Sequence, residues 1–139
     1  MLRVALASGE GFIKVTGEVG TGKTLLLRKL MGELAAAHQV AYLPNPYLEP
    51  DELRQALALE LGITAEGGSL VVTDAIHRRL VELKRDGRSA VVLLDEAQAL
   101  PDASLEAIRL FGNLETESSK LLQVVLFGQP ELDSRLQAD

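Results

Sequence analysis

The sequence predicts an α/β fold in which helices cover both faces of a mainly parallel β-sheet. Three observations predict this fold. Short apolar segments alternate along the chain with longer segments of helical spacing, the last two apolar segments are continuous runs, and a glycine-rich loop joins the first apolar segment to the first helix. Continuous apolar runs are typical of parallel strands that are buried on both faces.

Four segments are predicted as strands, and each runs into residues that stop a strand. The first leads into the glycine loop, and the second stops at a Pro-Asn-Pro turn. The third is apolar until two acidic residues, and the fourth is apolar until a Gly-Gln-Pro turn. In chain order, the predicted strands are residues 11–17, 40–44, 90–96 and 121–128.

Five segments are predicted as helices. The second begins behind Pro50 and ends before Gly62, which is the preferred order of proline and glycine at helix ends. The third places Val72, Ile76 and Leu80 on one apolar stripe. In chain order, the predicted helices are residues 23–37, 51–61, 70–86 and 102–115, with a short last helix from residue 130.

Composition limits the class of protein. The 139 residues are enough for one domain, and the 47% hydrophobic and 24% charged residues argue against disorder. The net charge of −6 disfavours broad binding to nucleic acid or anionic membranes, and the absence of cysteine excludes disulfides and thiolate metal sites. Since no apolar run approaches the ~20 residues of a membrane span and no signal peptide follows Met1, we expect a cytoplasmic chain without a membrane segment.

The glycine loop has the pattern G-x-x-x-x-G-K-[ST], which Gly17, Gly22, Lys23 and Thr24 satisfy. Glycines allow successive backbone N–H groups to form an anion nest, and the following helix adds its positive N-terminus. We expect Lys23 to reach the outer phosphates of a nucleotide and the Thr24 hydroxyl to bind Mg²⁺. The predicted cofactor-binding residues are Gly17, Glu18, Val19, Gly20, Thr21, Gly22, Lys23, Thr24 and Leu25. The alternative, a chance match in a flexible turn, is disfavoured by the position of the loop between a strand and a helix.

Two acids follow the apolar residues of the third predicted strand. Asp95 and Glu96 would be costly to bury without a partner, and ligands collect at the carboxyl ends of parallel strands. Since the glycine loop follows its own strand at the same edge, Asp95 is predicted to hold Mg²⁺ and Glu96 to orient the attacking water. The alternative is a solvent-exposed acidic strand end that caps the next helix.

Two further polar residues follow strands and are candidate catalytic residues. Gln129 could contact the γ-phosphate or the water, and Asn45 could hold Glu96 away from that water. The alternative is that each merely belongs to a turn, because polar residues are common before proline in such turns.

Five segments carry a resemblance to one family, the AAA+ ATPases of the general secretion pathway of the ExeA/GspA type, and within it to pilus biogenesis ATPases of the mannose-sensitive haemagglutinin type. These segments are GEVGTGKT, VAYLPNP, VVLLDEAQAL, LFGNLET and LLQVVLFGQPEL. The resemblance implies a three-layer α/β/α P-loop NTPase core with the strand 121–128 between the first and third strands. It also implies Glu96 as the catalytic glutamate and Gln129 at the sensor-1 position.

The resemblance further implies ATP and Mg²⁺ as cofactors, other subunits of the same kind, and inner-membrane components of a pilus or secretion machine as partners. The full-length protein is then expected at the cytoplasmic face of the bacterial inner membrane. The fifth strand, the helical lid and the arginine finger of the family would lie beyond residue 139. We therefore expect residues 1–139 to be a single ATPase core, truncated at both ends and without its lid, that hydrolyses ATP weakly.

Two alternatives stay open from the sequence. The first is an AAA+ helper of DNA transposition, for which the basic residues between 78 and 88 would contact DNA. We regard DNA as an unlikely partner, because Arg78, Glu82 and Arg85 recur at helical spacing and favour a solvated face with internal ion pairs. The second is a nucleotide-binding module that never hydrolyses its ligand, which the intact Lys23, Asp95 and Glu96 disfavour.

Overall fold

The computed structural model describes residues 3–6, 12–18, 22–114 and 120–137. Its sheet consists of β1 (Arg3–Leu6), β2 (Ile13–Thr16), β3 (His38–Leu43), β4 (Ser89–Leu94) and β5 (Leu122–Gly128). The strand order is β1-β2-β5-β4-β3. All neighbours are parallel except β1, which runs antiparallel to β2. The mainly parallel sheet is confirmed, as is the position of the last strand between the first and third predicted strands.

The helices of the described chain are α1 (Lys23–Leu34), α2 (Pro50–Glu60), α3 (Ser69–Arg85), α4 (Asp102–Gly112) and α5 (Glu131–Gln137), with a 3-10 turn at Ala97–Ala99. Most predicted ends are correct within two residues. Helices α1 and α4 each end three residues before the predicted end, at Leu34 and Gly112.

Successive side chains of β4 and β5 point to opposite faces, and both faces are covered. On one face, Val91, Leu93, Val125 and Phe127 pack with Leu27 of α1. The other face packs against α2 to α5 in a larger cluster, whose sheet residues include Ala41, Leu43, Ala90, Val92, Leu94, Leu122, Val124 and Leu126. The fold therefore has the three predicted layers, helix, sheet and helix.

One close contact joins α4 to the chain before β2. Phe12 is 1% exposed, and its ring lies against Gly112, the last residue of α4. A methyl group on Gly112 would overlap that ring and come within 3.2 Å of Val124 Cγ2. Only a residue without a side chain fits at this position while Phe12 keeps its place.

Strand β3 forms one edge of the described sheet, and a side chain from α2 covers part of that edge. The Tyr42 N–H donates to Glu60 Oε1 at 2.8 Å, and Gln39 Nε2 donates to the Glu60 carbonyl at 3.1 Å. The Tyr42 N–H, which faces away from the neighbouring strand, thereby has a hydrogen-bond acceptor.

Two surfaces outside the carboxyl edge are notable. A groove of about 530 Å³ lies between α1 and the amino ends of the parallel strands, where Leu30, Leu34 and Val91 help to line it. On the exposed face of α3, Arg78 pairs with Asp74 at 2.8 Å. In the part of the chain that the structure describes, no helix is long and apolar enough to cross a membrane.

Candidate functional site

The predicted site residues lie at one edge of the sheet, where the parallel strands end. The glycine loop follows β2, Asp95 and Glu96 follow β4, and Gln129 follows β5. Since β5 lies between β2 and β4, Gln129 lies between the loop and the two acids. The strand order thus places three groups from distant parts of the sequence at one edge.

The glycine loop is attached to the sheet at its start and to α1 at its end. The Gly17 N–H donates to the Gly128 carbonyl at 3.1 Å, which extends the pairing of β2 with β5. At the other end, Gly22 has φ 91°, a left-handed conformation that glycine adopts without strain. Lys23 Nζ donates to the carbonyl of Gly17 and, at 3.5 Å, to that of Glu18. The lysine therefore folds back over the loop.

The first backbone amides of helix α1 lie next to the same loop. The first amide to bond within the helix is that of Leu26, which donates to the Gly22 carbonyl at 3.0 Å. The amides of Lys23, Thr24 and Leu25 precede it and lie at the positive end of the helix. The Leu25 side chain is 72% exposed but apolar, so the backbone N–H is the group of this residue that can donate to a ligand. The predicted contacts of Val19, Gly20 and Thr21 lie outside the described residues.

Asp95 directly extends the hydrogen bonding of β4. Its N–H donates to the Leu43 carbonyl at 3.2 Å, and its Oδ1 accepts the Glu96 N–H at 2.9 Å. Burial, followed by the nearby charge of Glu96, raises the pKa of Asp95, while the Glu96 N–H and the ammonium of Lys23 act in the opposite direction. The strand order and this effect of Lys23 on the pKa of Asp95 agree in placing the loop and the acidic strand end at one edge.

Glu96 has a strained backbone. Its φ is 51°, and among the described residues it is the only non-glycine residue with a positive φ. The left-handed conformation costs a residue with a side chain about 1–2 kcal/mol, and such strain concentrates at functional sites. It turns the chain from β4 into the 3-10 turn and brings the Glu96 carboxylate toward Gln98, whose Nε2 donates to Glu96 Oε2 at 2.8 Å.

Gln98 was not among the residues predicted from the sequence. Its Oε1 accepts the backbone N–H of Gln129 at 2.9 Å, so one amide joins Glu96 to the end of β5. Asn45, which was predicted to contact Glu96, instead accepts the Tyr47 N–H at 2.9 Å within its own turn. The signal in the sequence was that Gln98 lies two residues after Glu96. This spacing brings the two side chains together only if the chain forms a tight turn there, as it does in the 3-10 turn.

Tyr42 is a second neighbour of the site. It is partly buried and packs with the cluster between the sheet and α1. Burial, and after it the charge of Asp95, raises the pKa of the Tyr42 hydroxyl, whereas the guanidinium of Arg28 lowers it. The phenol is therefore close enough to the acidic strand end to experience its charge.

Helix α5 is fastened beside these groups by ion pairs. Arg135 Nη1 donates to the Gln98 carbonyl at 2.8 Å, and its Nη2 pairs with Asp102 at 2.6 Å. Asp133 pairs with Lys14 of β2 at 2.5 Å. Arg135 thus has structural partners in this chain.

A parallel sheet with a glycine loop after one inner strand and an Asp-Glu pair after another defines a P-loop nucleoside triphosphatase domain. A family model described as AAA domain matches residues 5–136. The chain therefore belongs to the AAA domain family of P-loop ATPases.

A curated relative adds detail. The General secretion pathway protein A of Aeromonas hydrophila is 43% identical over 137 residues. That match covers 97% of this chain but 25% of the relative, so the chain spans about a quarter of the length of the curated relative it matches. The similarity places the chain among AAA domains of the type found in that protein.

Two solved structures are similar in fold. The crystal structure of Cdc6p from Pyrobaculum aerophilum has a TM-score of 0.64 and 22% identity, covering 86% of this chain and 33% of that one. The ORC2 protein of Aeropyrum pernix, described in ADPNP-ADP complexes, has a TM-score of 0.61 and 18% identity, covering 90% of this chain and 36% of that one. At these identities the likeness concerns the fold alone.

Proposed function

We propose that the chain binds ATP with Mg²⁺ at the carboxyl edge of its sheet and hydrolyses it to drive or switch the assembly of a pilus or a type II secretion machine. The observation that supports this most directly is the meeting of Lys23, Asp95 and Glu96 at one edge beside a glycine loop. The intact Glu96 distinguishes this proposal from a module that only binds nucleotide.

The loop and α1 supply the phosphate-binding half of the proposed site. The amides of Lys23, Thr24 and Leu25 precede the first helical hydrogen bond and can donate to phosphate oxygens. Lys23 Nζ now bonds to the Gly17 and Glu18 carbonyls, and a phosphate oxygen would offer it a charged acceptor. A hydrogen bond from an ammonium to a charged phosphate oxygen is stronger than one from the same ammonium to a neutral carbonyl, which favours binding.

The metal half fits Mg²⁺ through the chemistry of its donors. Mg²⁺ is commonly held by one or two protein oxygens together with substrate phosphates and water. Thr24 is exposed on the first turn of α1, and Asp95 is a carboxylate whose Oδ2 is not used by the Glu96 N–H. Bound there, Mg²⁺ would neutralise charge on the phosphates. Its charge would also favour the ionised form of Asp95, against the effect of burial.

Glu96 supplies the hydrolytic function in this proposal. Its carboxylate is fixed through one oxygen by Gln98, so the other oxygen is suited to accept a proton from water. Water held there would attack the γ-phosphorus in line with the leaving β-phosphate oxygen. Gln129, at the end of the strand between the loop and the acids, is proposed to contact the γ-phosphate or that water.

The role in assembly rests on the similarity to the General secretion pathway protein A of Aeromonas hydrophila. Other copies of the chain and inner-membrane components of the machine are the proposed partners, at the cytoplasmic face of the membrane. The role as a DNA helper has less support, because Arg78 and Arg79 of α3 pair with Asp74 and Glu82. Their charges are thereby balanced within the helix.

Single-turnover hydrolysis of γ-labelled ATP, with the 139-residue chain in excess, tests the enzymatic part. We expect slow, Mg²⁺-dependent phosphate release that falls about 10²- to 10⁴-fold in Glu96→Gln, with ATP affinity retained. Binding of a fluorescent ATP analogue without Glu96-dependent release would overturn hydrolysis and leave a nucleotide-binding module. Absence of binding would overturn the whole proposal.

A further inference from the structure

We propose that Gln98 is a positioning residue that holds the Glu96 carboxylate in its working orientation and couples it to the end of β5. This inference deepens the proposed function and rests on Glu96 orienting the attacking water. It is carried by a chain of hydrogen bonds that runs from Glu96 through the Gln98 amide to the Gln129 backbone.

The amide of Gln98 can adopt one orientation only. Its Oε1 accepts the Gln129 N–H at 2.9 Å, and its Nε2 donates to Glu96 Oε2 at 2.8 Å. Flipping the amide would place an N–H₂ group against an N–H donor and an oxygen against a carboxylate, which removes both bonds. The backbone at Gln129 therefore determines which end of the amide faces Glu96.

The space for this amide depends on Gly128. A Cβ at residue 128 would lie 2.8 Å from Gln98 Oε1 and 3.0 Å from Leu132 Cδ2. A residue with a side chain would push the amide away from Gln129. The last residue of β5 and the first turn of α5 thus form a close contact surface for the Gln98 side chain.

The backbone of Gln98 is also fixed. Its carbonyl accepts Arg135 Nη1 at 2.8 Å, and the same guanidinium pairs with Asp102 at the start of α4. A displacement of α5 would therefore move both the contact surface for the Gln98 side chain and the Gln98 backbone. The carboxylate of Glu96, which Gln98 holds, would move with them. Because Asp133 of α5 pairs with Lys14 of β2, the same helix is tied to the strand that enters the glycine loop.

The hydrogen bond from Gln98 to Glu96 leaves one carboxylate oxygen available for the reaction, as a positioning role requires. Gln98 donates to one carboxylate oxygen, and the described residues give the other oxygen of Glu96 no hydrogen bond. Because Gln98 Nε2 holds Oε2, the position of the other oxygen, Oε1, is determined by the turn that joins the two residues. The strained backbone of Glu96 brings the side chain within reach of Gln98.

Two substitutions separate the two hydrogen bonds of Gln98. Gln98→Ala removes both. Gln98→Glu keeps an acceptor for the Gln129 N–H but places a carboxylate against Glu96 in place of the donor. Gln55→Ala is the matched control, since Gln55 lies in α2, away from the site, and its Nε2 likewise donates a hydrogen bond, there to the Ala65 carbonyl.

We expect the single-turnover rate to fall about tenfold or more in both Gln98 variants, as for loss of a hydrogen bond to a charged group. The Kd for a fluorescent ATP analogue and the Tm should remain close to those of the unchanged chain. Gln55→Ala should keep the full rate. In a Glu96→Gln background, Gln98→Ala should cost less than about twofold further, because the group it positions is already neutral.

Three outcomes would overturn the proposal. The first is an unchanged rate in Gln98→Ala, and the second is a normal rate in Gln98→Glu beside a slow Gln98→Ala, which would assign the effect to the Gln129 bond alone. The third is an equal loss with and without Glu96. If Glu96→Gln itself left the rate unchanged, the proposed hydrolytic role of Glu96 would fail instead, so the two failures are distinguishable.

Discussion

The carboxyl edge of the sheet and the helical face formed by α2 to α5 show two different uses of burial. On the helical face, Ile76, Leu80 and Ile108 are at most 1% exposed and contribute apolar packing. At the carboxyl edge, a partly buried carboxylate has a raised pKa and its neighbour has a strained backbone. We infer that substitutions at the edge will change ligand chemistry at little cost in stability, whereas substitutions on the face will do the reverse.

The largest effect expected at the edge is on nucleotide binding. In Lys23→Ala, loss of a charged donor to phosphate should weaken ATP binding roughly 10- to 100-fold. The Tm should change little, because within the described part of the chain the lysine bonds only to the Gly17 and Glu18 carbonyls of the loop. Titration with a fluorescent ATP analogue measures the affinity. Lys29→Ala, at an exposed position of the same helix, is the control, and equal affinities in the two variants would refute the assignment of Lys23.

The largest effect expected on the helical face is at Gly112. Gly112→Ala should lower the free energy of unfolding by about 1–3 kcal/mol, as for overpacking, because its methyl group meets the buried Phe12 ring. Chemical denaturation measures the change. Gly32→Ala is the matched control. Among the described residues, no atom beyond its own helix neighbourhood lies within 4 Å of a Cβ there, so this variant should gain about 0.5–1 kcal/mol. A loss of stability in both variants would contradict the contact argument.

A smaller loss of stability is expected at Ser104. This residue of α4 is fully buried, and its Oγ donates to the Leu48 carbonyl at 2.5 Å, which attaches α4 to the loop after β3. Ser104→Ala should lower the free energy of unfolding by about 1–3 kcal/mol, as for a buried acceptor left without its donor, near the lower end of that range. Denaturation of this variant beside Ser134→Ala, at an exposed position of α5, separates the buried bond from a general effect of losing a hydroxyl.

The smallest effect is expected at Asp95, and it should have the opposite sign. Burial raises the pKa of Asp95 in the folded chain, so the ionised carboxylate lowers stability above that raised pKa. The penalty disappears as the pH falls from the folded pKa toward the ordinary carboxyl range. Asp95→Asn should therefore give a slightly higher Tm at pH 7 and a smaller difference at acidic pH. A lower Tm at pH 7 would show that the attraction of Lys23 outweighs the cost of burial.

Much of the fold could be predicted from the sequence because its signals are local. The apolar runs of β4 and β5, and the Pro50 and Gly62 ends of α2, determined these elements without tertiary information. Strand β1 was not predicted. Its four residues, Arg3–Leu6, pair antiparallel with β2, and the Ser-Gly-Glu-Gly segment at 8–11 between the two strands was a turn signal that the prediction did not use.

The candidate site was predicted only in part, for a related physical reason. The glycine pattern and the Asp95–Glu96 pair depend on short stretches of sequence, and the structure brings them to one edge as expected. The contacts of Gln98 depend on the left-handed turn at Glu96 and on the position of the end of β5 beside it. No local sequence pattern indicates either feature. The same turn explains why Gln98 rather than Asn45 contacts Glu96 in this structure. The catalytic roles themselves stay predictions.

The carboxylate of Glu60 on the edge of β3 has a consequence for how the protein behaves at high concentration. Exposed strand edges can recruit strands from other molecules and begin aggregation. An incoming strand would have to displace Glu60 from the Tyr42 N–H and then bury or repel its negative charge. We therefore expect this side of the sheet to resist edge-to-edge polymerisation, so that association with other copies must use a different surface.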